Sequence, residues 1–175
     1  MDTVIAIGEH APDFQLQDIQ GNNHALKELL GSIIVINFWS AECSWCERVD
    51  RELAAHLERW PAEVRVWWVA SNAGEPFEQI TRMAAERKLS TVLVDTRQQV
   101  ADLYGAQTTP HFFVVDKNGR LAYQGAWDDV TFRQRVATQV YVPKVIEALL
   151  EGQVPELTAT PPYGCVLARF HEGGY

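Results

Sequence analysis

"SIIVINFWSAECSWCERV", residues 32–49, decides the fold. From Ser32 to Trp39 it is almost continuously apolar and β-branched, the pattern of a strand covered on both faces at the centre of a sheet. From Cys46 the apolar side chains recur at Val49, Leu53, Leu57 and Trp60, with charges between them and Pro61 at the close. That spacing predicts an amphipathic helix packed on the sheet. The C-x-x-C of Cys43 and Cys46 therefore falls at a strand-to-helix junction. There Cys43 sits at the helix N-terminus, where free N–H groups and the helix dipole favour a thiolate by roughly 0.3–1 kcal/mol, up to about 2 when partly buried. Cys46 begins the apolar stripe and faces the core. An exposed attacking sulfur beside a sheltered resolving one is the asymmetry that thiol exchange needs.

The rest of the chain fits one compact domain: 175 residues, 47% of them hydrophobic, suffice for a single core. A net charge of −8 argues against nucleic acid, whose binding draws its affinity from cationic contacts. No apolar run approaches the roughly 18–20 residues that span a bilayer. "MDTVIAIGEHAPDF" lacks the basic start and long apolar stretch of a signal peptide. The expectation is a cytoplasmic chain without a membrane segment, or an exported or anchored one if a signal has been lost from its N-terminus. Three cysteines are too few for a disulfide framework, and the odd number leaves one thiol outside any internal pair.

Around Gly21-Asn22-Asn23 two short extended segments suggest an N-terminal hairpin. Strands are expected at 64–71, 91–95, 111–116 and 120–125, and helices at 75–89 and 97–105. Lys117-Asn118-Gly119 is a hairpin turn. Pro143 suits the first turn of a helix from Val142 to Glu151 better than the interior of a longer one. Residues 1–152 are expected to form one domain, on which 153–175 packs as an irregular extension with an extended piece at Cys165 to Phe170. The alternation of strands and helices predicts an α/β fold, a central mixed sheet with helices on both faces.

A zinc site would need four ligands, and no second C-x-x-C or nearby C-x-x-H supplies them, so neither a metal nor another cofactor is expected. Two unconnected core cysteines remain the plain alternative, since free Cys is commonly buried. "YGAQTTPHFFVVD" weighs against it, because Thr109-Pro110 directly before an apolar strand suggests a cis X-Pro bond.

With "INFWSAECSWC", "YGAQTTPHFFVVDKNGRL" and "APDFQLQD" together, the chain resembles the thioredoxin-like superfamily, nearest its TlpA and redoxin-type branches, over roughly residues 8–152. The resemblance implies a thiol:disulfide oxidoreductase in which Cys43 is the nucleophile and Cys46 the resolving thiol. It makes Thr109-Pro110 the backbone that pairs with an extended substrate. The partners implied are a protein or small-molecule disulfide and a thiol electron donor, with the enzyme working as a reductase if cytosolic. "DDVTFRQ…TPPYGCVLARF" is similar to a C-terminal extension of some redoxin-domain proteins. Glu42 stands where the family often has Trp, and Ser44-Trp45 replaces a dipeptide ending in Pro. A carboxylate about 4 Å from the sulfur opposes the thiolate by ~1 kcal/mol in water and ~4 at an effective dielectric of 20, so no strongly acidic thiol is expected. Asn37 takes the place of thioredoxin's buried acid, and proton transfer from Cys46 then needs another base or water.

Two rivals remain. A peroxiredoxin-like peroxidase would have Cys43 attack peroxide, but Ile36 replaces the proline expected seven positions before the cysteine and Ser40 replaces a threonine. A thioredoxin-fold binding module would carry a vestigial dithiol. Among other residues, His111 is a possible modulator or ordinary packing. Trp39 reads as core and Trp45 as an exposed docking aromatic in the loop between the cysteines. Asp128 and Asp129 read as caps. His10, His24, His56 and His171 read as structural or solvated, and Cys165 as a buried packing thiol.

Overall fold

The computed structural model describes residues 5–171. Its centre is β3 (Ile33–Trp39), buried at every position. β3 runs parallel to β4 (Val64–Ala70), from Ile33↔Val64 to Trp39↔Ala70. On its other side it runs antiparallel to β7 (His111–Val115), from Ile34↔Val115 to Phe38↔His111. Beyond β4 lie β5 (Val92–Val94) and then the hairpin of β1 (Gln15–Asp18) and β2 (Asn23–Ala25). Beyond β7 lies β8 (Leu121–Gly125), so the seven-stranded mixed sheet has the order β2-β1-β5-β4-β3-β7-β8.

The chain steps from β3 to β4 to β5 through α1 (Ser44–Leu57) and α2 (Phe77–Glu86). Both steps go the same way, so right-handed crossovers put both helices on one face. There Val49, Leu53, Ile80 and Ala84 share a core with Val142, Val145 and Ile146 of α4 (Tyr141–Leu150). On the opposite face α3 (Gln99–Tyr104) packs Val100, Ala101 and Tyr104 with Phe14 and Leu26. The period-two alternation of β3 serves both layers, with Ile33, Val35 and Trp39 in the first core and Ile34, Ile36 and Phe38 in the second. This is the expected α/β architecture, and its helix ends lie within about three residues of the sequence reading.

The β7–β8 turn closes on Asp116, whose carboxylate accepts the N–H groups of Asn118 and Arg120, while Gly119 takes φ 78°. One element has no counterpart in the sequence reading. β6 (Thr108–Thr109) pairs antiparallel with β9 (Cys165–Val166), matching Thr108 to Val166 and Thr109 to Cys165. Of the extended piece expected from Cys165 to Phe170, only these two residues are strand. The preceding part of the tail runs along β8, where Gln124 donates its N–H to the Thr158 carbonyl and accepts that of Thr160. Among the described residues no helix is long and apolar enough to cross a membrane.

Candidate redox site

Cys43 is the N-cap of α1, with extended φ/ψ of −85° and 119°. Its position exposes its sulfur to the free N–H groups of the first helical turn. Cys46, one turn on, is fully buried. The Thr109-Pro110 peptide bond is cis, and the Thr109 carbonyl oxygen lies 3.1 Å from Cys43 Sγ. A thiol hydrogen bond from Cys46, joined by donors at Cys165 and by the backbone N–H groups of both residues, lowers the Cys43 pKa to about 4 although burial opposes it. Cys46 moves the other way. Burial foremost, and then the charge on Cys43, push it well above the ordinary thiol value.

Two sequence expectations are reversed here. The helix N-terminus predicts an exposed Cys43, yet it is 3% exposed. The apolar flanks of Cys165 predict a buried thiol, yet it is the exposed one of the three. The cause is the tail: β9 lies over the dithiol and brings Cys165 Sγ to 2.8 Å from Cys43 Sγ. Nor is Cys43 an ordinary thiol. The Glu42 side chain is on the surface, whereas hydrogen bonding with Cys46 and then Cys165 favours the Cys43 thiolate, and contact partners outweigh a solvated carboxylate.

Thr109 and Pro110 are buried beside Cys43. Trp45 lies in the first turn of α1, outside any loop, and is half-buried edge-to-face against Tyr163 at 5.1 Å. Asn37 is fully buried in β3, and neither its amide oxygen nor its nitrogen finds a protein hydrogen-bond partner. Its alternation places it on the same face as Trp39 and the α1 core. His111 is placed otherwise. It shares a strand face with Phe113, stacks on that ring at 4.6 Å, and accepts the Gln107 N–H at Nδ1. Burial lowers its pKa to about 4, so the ring is a neutral packing group.

Of the residues that support the site, Asp50, Arg87 and Glu75 carry no signal in the sequence, whereas Asp128 and Asp129 accept backbone N–H groups as the caps that the sequence suggests. Asp50 on α1 is buried and accepts hydrogen bonds from Trp39 Nε1 (2.8 Å), Trp68 Nε1 (3.0 Å) and Arg87 (3.1 Å). Arg87 also donates to the Ala41 carbonyl, tying α2 to the loop before Cys43. Glu75 holds that loop from the other side, accepting the Ser40 hydroxyl at 2.7 Å and the Ala41 N–H at 2.6 Å. Asp128 receives a bidentate pair of 2.8 Å bonds from Arg48 of α1 and caps the Val130 N–H. Asp129 accepts the N–H groups of Thr138 and Gln139, so the two aspartates close both ends of the 128–140 loop. Acidic residues spaced through amphipathic segments look like solvated charge, and only its burial distinguishes Asp50. No cluster of three or more His, Cys, Asp or Glu among the described residues is placed to hold a metal ion.

Residues 7–124 match the AhpC/TSA family. The chain belongs to that family. This AhpC/TSA member is 34% identical over 122 residues to the thiol-disulfide oxidoreductase ResA of Geobacillus thermodenitrificans, covering 68% of each chain. Its solved neighbours include an uncharacterized conserved protein from Geobacillus kaustophilus, at TM-score 0.89 and 25% identity over 98% of this chain and 96% of that one. Another is a hypothetical protein from Sinorhizobium meliloti, at TM-score 0.85 and 28% identity over 94% and 95%. A putative thiol:disulfide interchange protein DsbE from Chlorobium tepidum matches at TM-score 0.63 and 26% identity, over 69% and 84%. The fold is thioredoxin-like and the chain is a thiol:disulfide oxidoreductase with a C-x-x-C dithiol. The match to ResA spans about two thirds of the chain, whereas the two nearly full-length structural neighbours also cover most of the tail.

Proposed function

We propose that Cys43 and Cys46 reduce disulfides of proteins or small molecules. Cys43 thiolate attacks a substrate sulfur and expels the other as a thiol. Cys46 then attacks Cys43 in the mixed disulfide, releasing the second substrate thiol and leaving a Cys43–Cys46 disulfide. A thiol donor returns two electrons. The observation that carries this reading is the contrast between the two sulfurs: one at a helix N-terminus with its pKa lowered, the other sealed in the core with its pKa raised. An extended substrate takes the Thr108–Thr109 edge when β9 leaves it, with Trp45 as an apolar contact. Asn37 and Glu42 act as modulators, Asn37 from beneath the helix and Glu42 from the surface. The extension 153–175 belongs to the same functional unit as residues 1–152. In a reducing compartment such as the cytoplasm the cycle runs as a reductase.

Trapping tests the assignment. In a Cys165→Ser background, so that the third thiol cannot intervene, Cys46→Ser accumulates dithiothreitol-reversible adducts with a small aromatic disulfide or with protein disulfides. Cys43→Ser accumulates few or none. Equal trapping by both variants contradicts the assigned roles, and rapid peroxide consumption without adducts favours peroxidase chemistry.

A further inference from the structure

Cys165 is separated from Cys43 by 122 positions, yet the two sulfurs lie 2.8 Å apart, against about 2.0 Å for a covalent disulfide. The approach is built by several independent contacts. On one side Tyr163 packs against Trp45. On the other Leu167, 2% exposed, is inserted into the second core. Leu167 donates its N–H to the Gln107 carbonyl, and Ala168 donates to Asn72 and accepts from Ala73 and Gln98. Between these anchors the strand alternation turns Cys165 toward the dithiol and leaves Val166, 82% exposed, outside. Gly164 permits the close approach. A Cβ there would lie 2.2 Å from the Thr109 carbonyl oxygen and 3.0 Å from Pro110 Cδ. The tail thus lies along the cis-proline edge as an extended peptide carrying a cysteine opposite the attacking sulfur, which is the arrangement assigned above to a substrate.

We propose that Cys165 is a third redox-active cysteine, which takes the disulfide from the buried Cys43–Cys46 pair and presents it to the electron donor. This rests on the assignment of Cys43 as the exchanging sulfur. Cys165 loses its proton and attacks Cys43 Sγ. The Cys43–Cys46 bond breaks, a Cys43–Cys165 bond forms, and Cys46 leaves and takes up the proton. No electrons are gained or lost in this isomerisation. A donor dithiol then attacks the exposed Cys165 sulfur and expels Cys43, whose stabilised thiolate makes it the better leaving group. The donor's second thiol frees Cys165, and the donor departs as a disulfide with two electrons transferred to the enzyme. The relay answers a geometric difficulty: with β9 in place, Cys43 is covered and an external donor reaches only Cys165.

Disulfide mapping of the full chain, with dithiothreitol as donor, tests the relay. After diamide oxidation, Cys46→Ser yields an intramolecular Cys43–Cys165 peptide pair, and Cys165→Ser yields only Cys43–Cys46. In stopped flow, reduction of oxidised Cys165→Ser by dithiothreitol is slower than wild type by about tenfold or more, the advantage of a pre-positioned thiol. Free Cys165 in oxidised Cys46→Ser, or an unchanged reduction rate in Cys165→Ser, overturns the relay. Failure of Cys165→Ser to form Cys43–Cys46 would instead undermine the dithiol assignment itself, so the two failures are distinct.

Discussion

Gly164→Ala should uncover Cys43 without touching any cysteine. The added methyl would stand 2.2 Å from the Thr109 carbonyl oxygen and 2.7 Å from its carbon, whereas ordinary contact begins at 3.4 Å. Both obstacles are backbone, so β9 must retreat by more than about 1 Å. Overpacking of this kind costs about 1–3 kcal/mol. Beside Gly164, β9 is held by a two-residue pairing with Thr108 and Thr109 and one edge-to-face aromatic contact, worth about 0.5–1.5 kcal/mol, while Leu167 and Ala168 anchor the chain beyond it. The strain therefore falls on the β9–β6 contact, and the sheet core is spared. At 1.4 kcal/mol per decade the open population rises roughly 5- to 150-fold. Alkylation of Cys43 with iodoacetamide at about pH 8 reads that population, because with β9 in place the sulfur is already thiolate, its pKa being about 4, and a faster rate then reports access. Mass-resolved kinetics on the Cys43 peptide should show acceleration within that range, with the thermal midpoint little changed. A folded Gly164→Ala whose Cys43 reacts no faster than wild type would show that β9 does not gate the site.

The remaining predictions concern pH and the supports of the dithiol. In the reduced protein, alkylation of Cys43, corrected for reagent, should hold its plateau as pH falls and decline only toward pH 4, whereas an ordinary thiol declines below 9.0. A midpoint near 9.0 would refute the hydrogen-bonded thiolate. Because this folded-state pKa lies below the unfolded one, the unfolded chain binds the extra proton between the two values, and the reduced protein should gain stability as pH rises through that window. Cys46 and Cys165, shifted upward, stay protonated in both states there and do not oppose the trend. Urea titrations at about pH 5 and about pH 8 should show it, and a trend of opposite sign contradicts the assignment. Asp50→Ala removes the acceptor of Trp39, Trp68 and Arg87 and leaves a largely buried guanidinium unpaired. A loss of about 3–5 kcal/mol is expected from the denaturation midpoint, and less than about 1 kcal/mol would mean that Arg87 re-pairs at no cost.

Much of this protein is legible without coordinates because its signals are local. The apolar run from Ile33 to Trp39 specifies a strand covered on both faces, the Cys46-Val49-Leu53 stripe specifies the helix face, and their junction places the dithiol at a helix N-terminus. Thr109-Pro110 at the head of "HFFVV" marks the loop that lies beside it. The sulfur environment belongs to another order of information. In "GCVLARF" the flanking apolar residues suggest that Cys165 is packed away, yet only Leu167 enters the core, while Val166 faces solvent and Cys165 faces Cys43. The residues flanking each cysteine do not name the other as its partner. Their meeting arises because Leu167 is drawn into a core built by α3 and β3, and because Gly164 lets backbone pass against backbone. The same holds for Asp50, which looks like a surface charge until packing removes its solvent, and for the pairing of Arg48 with the capping residue Asp128. Periodicity shows which side of an element faces inward, but which inward groups touch is decided by the closing of long loops, and here that closure covered Cys43 and brought a third sulfur to it.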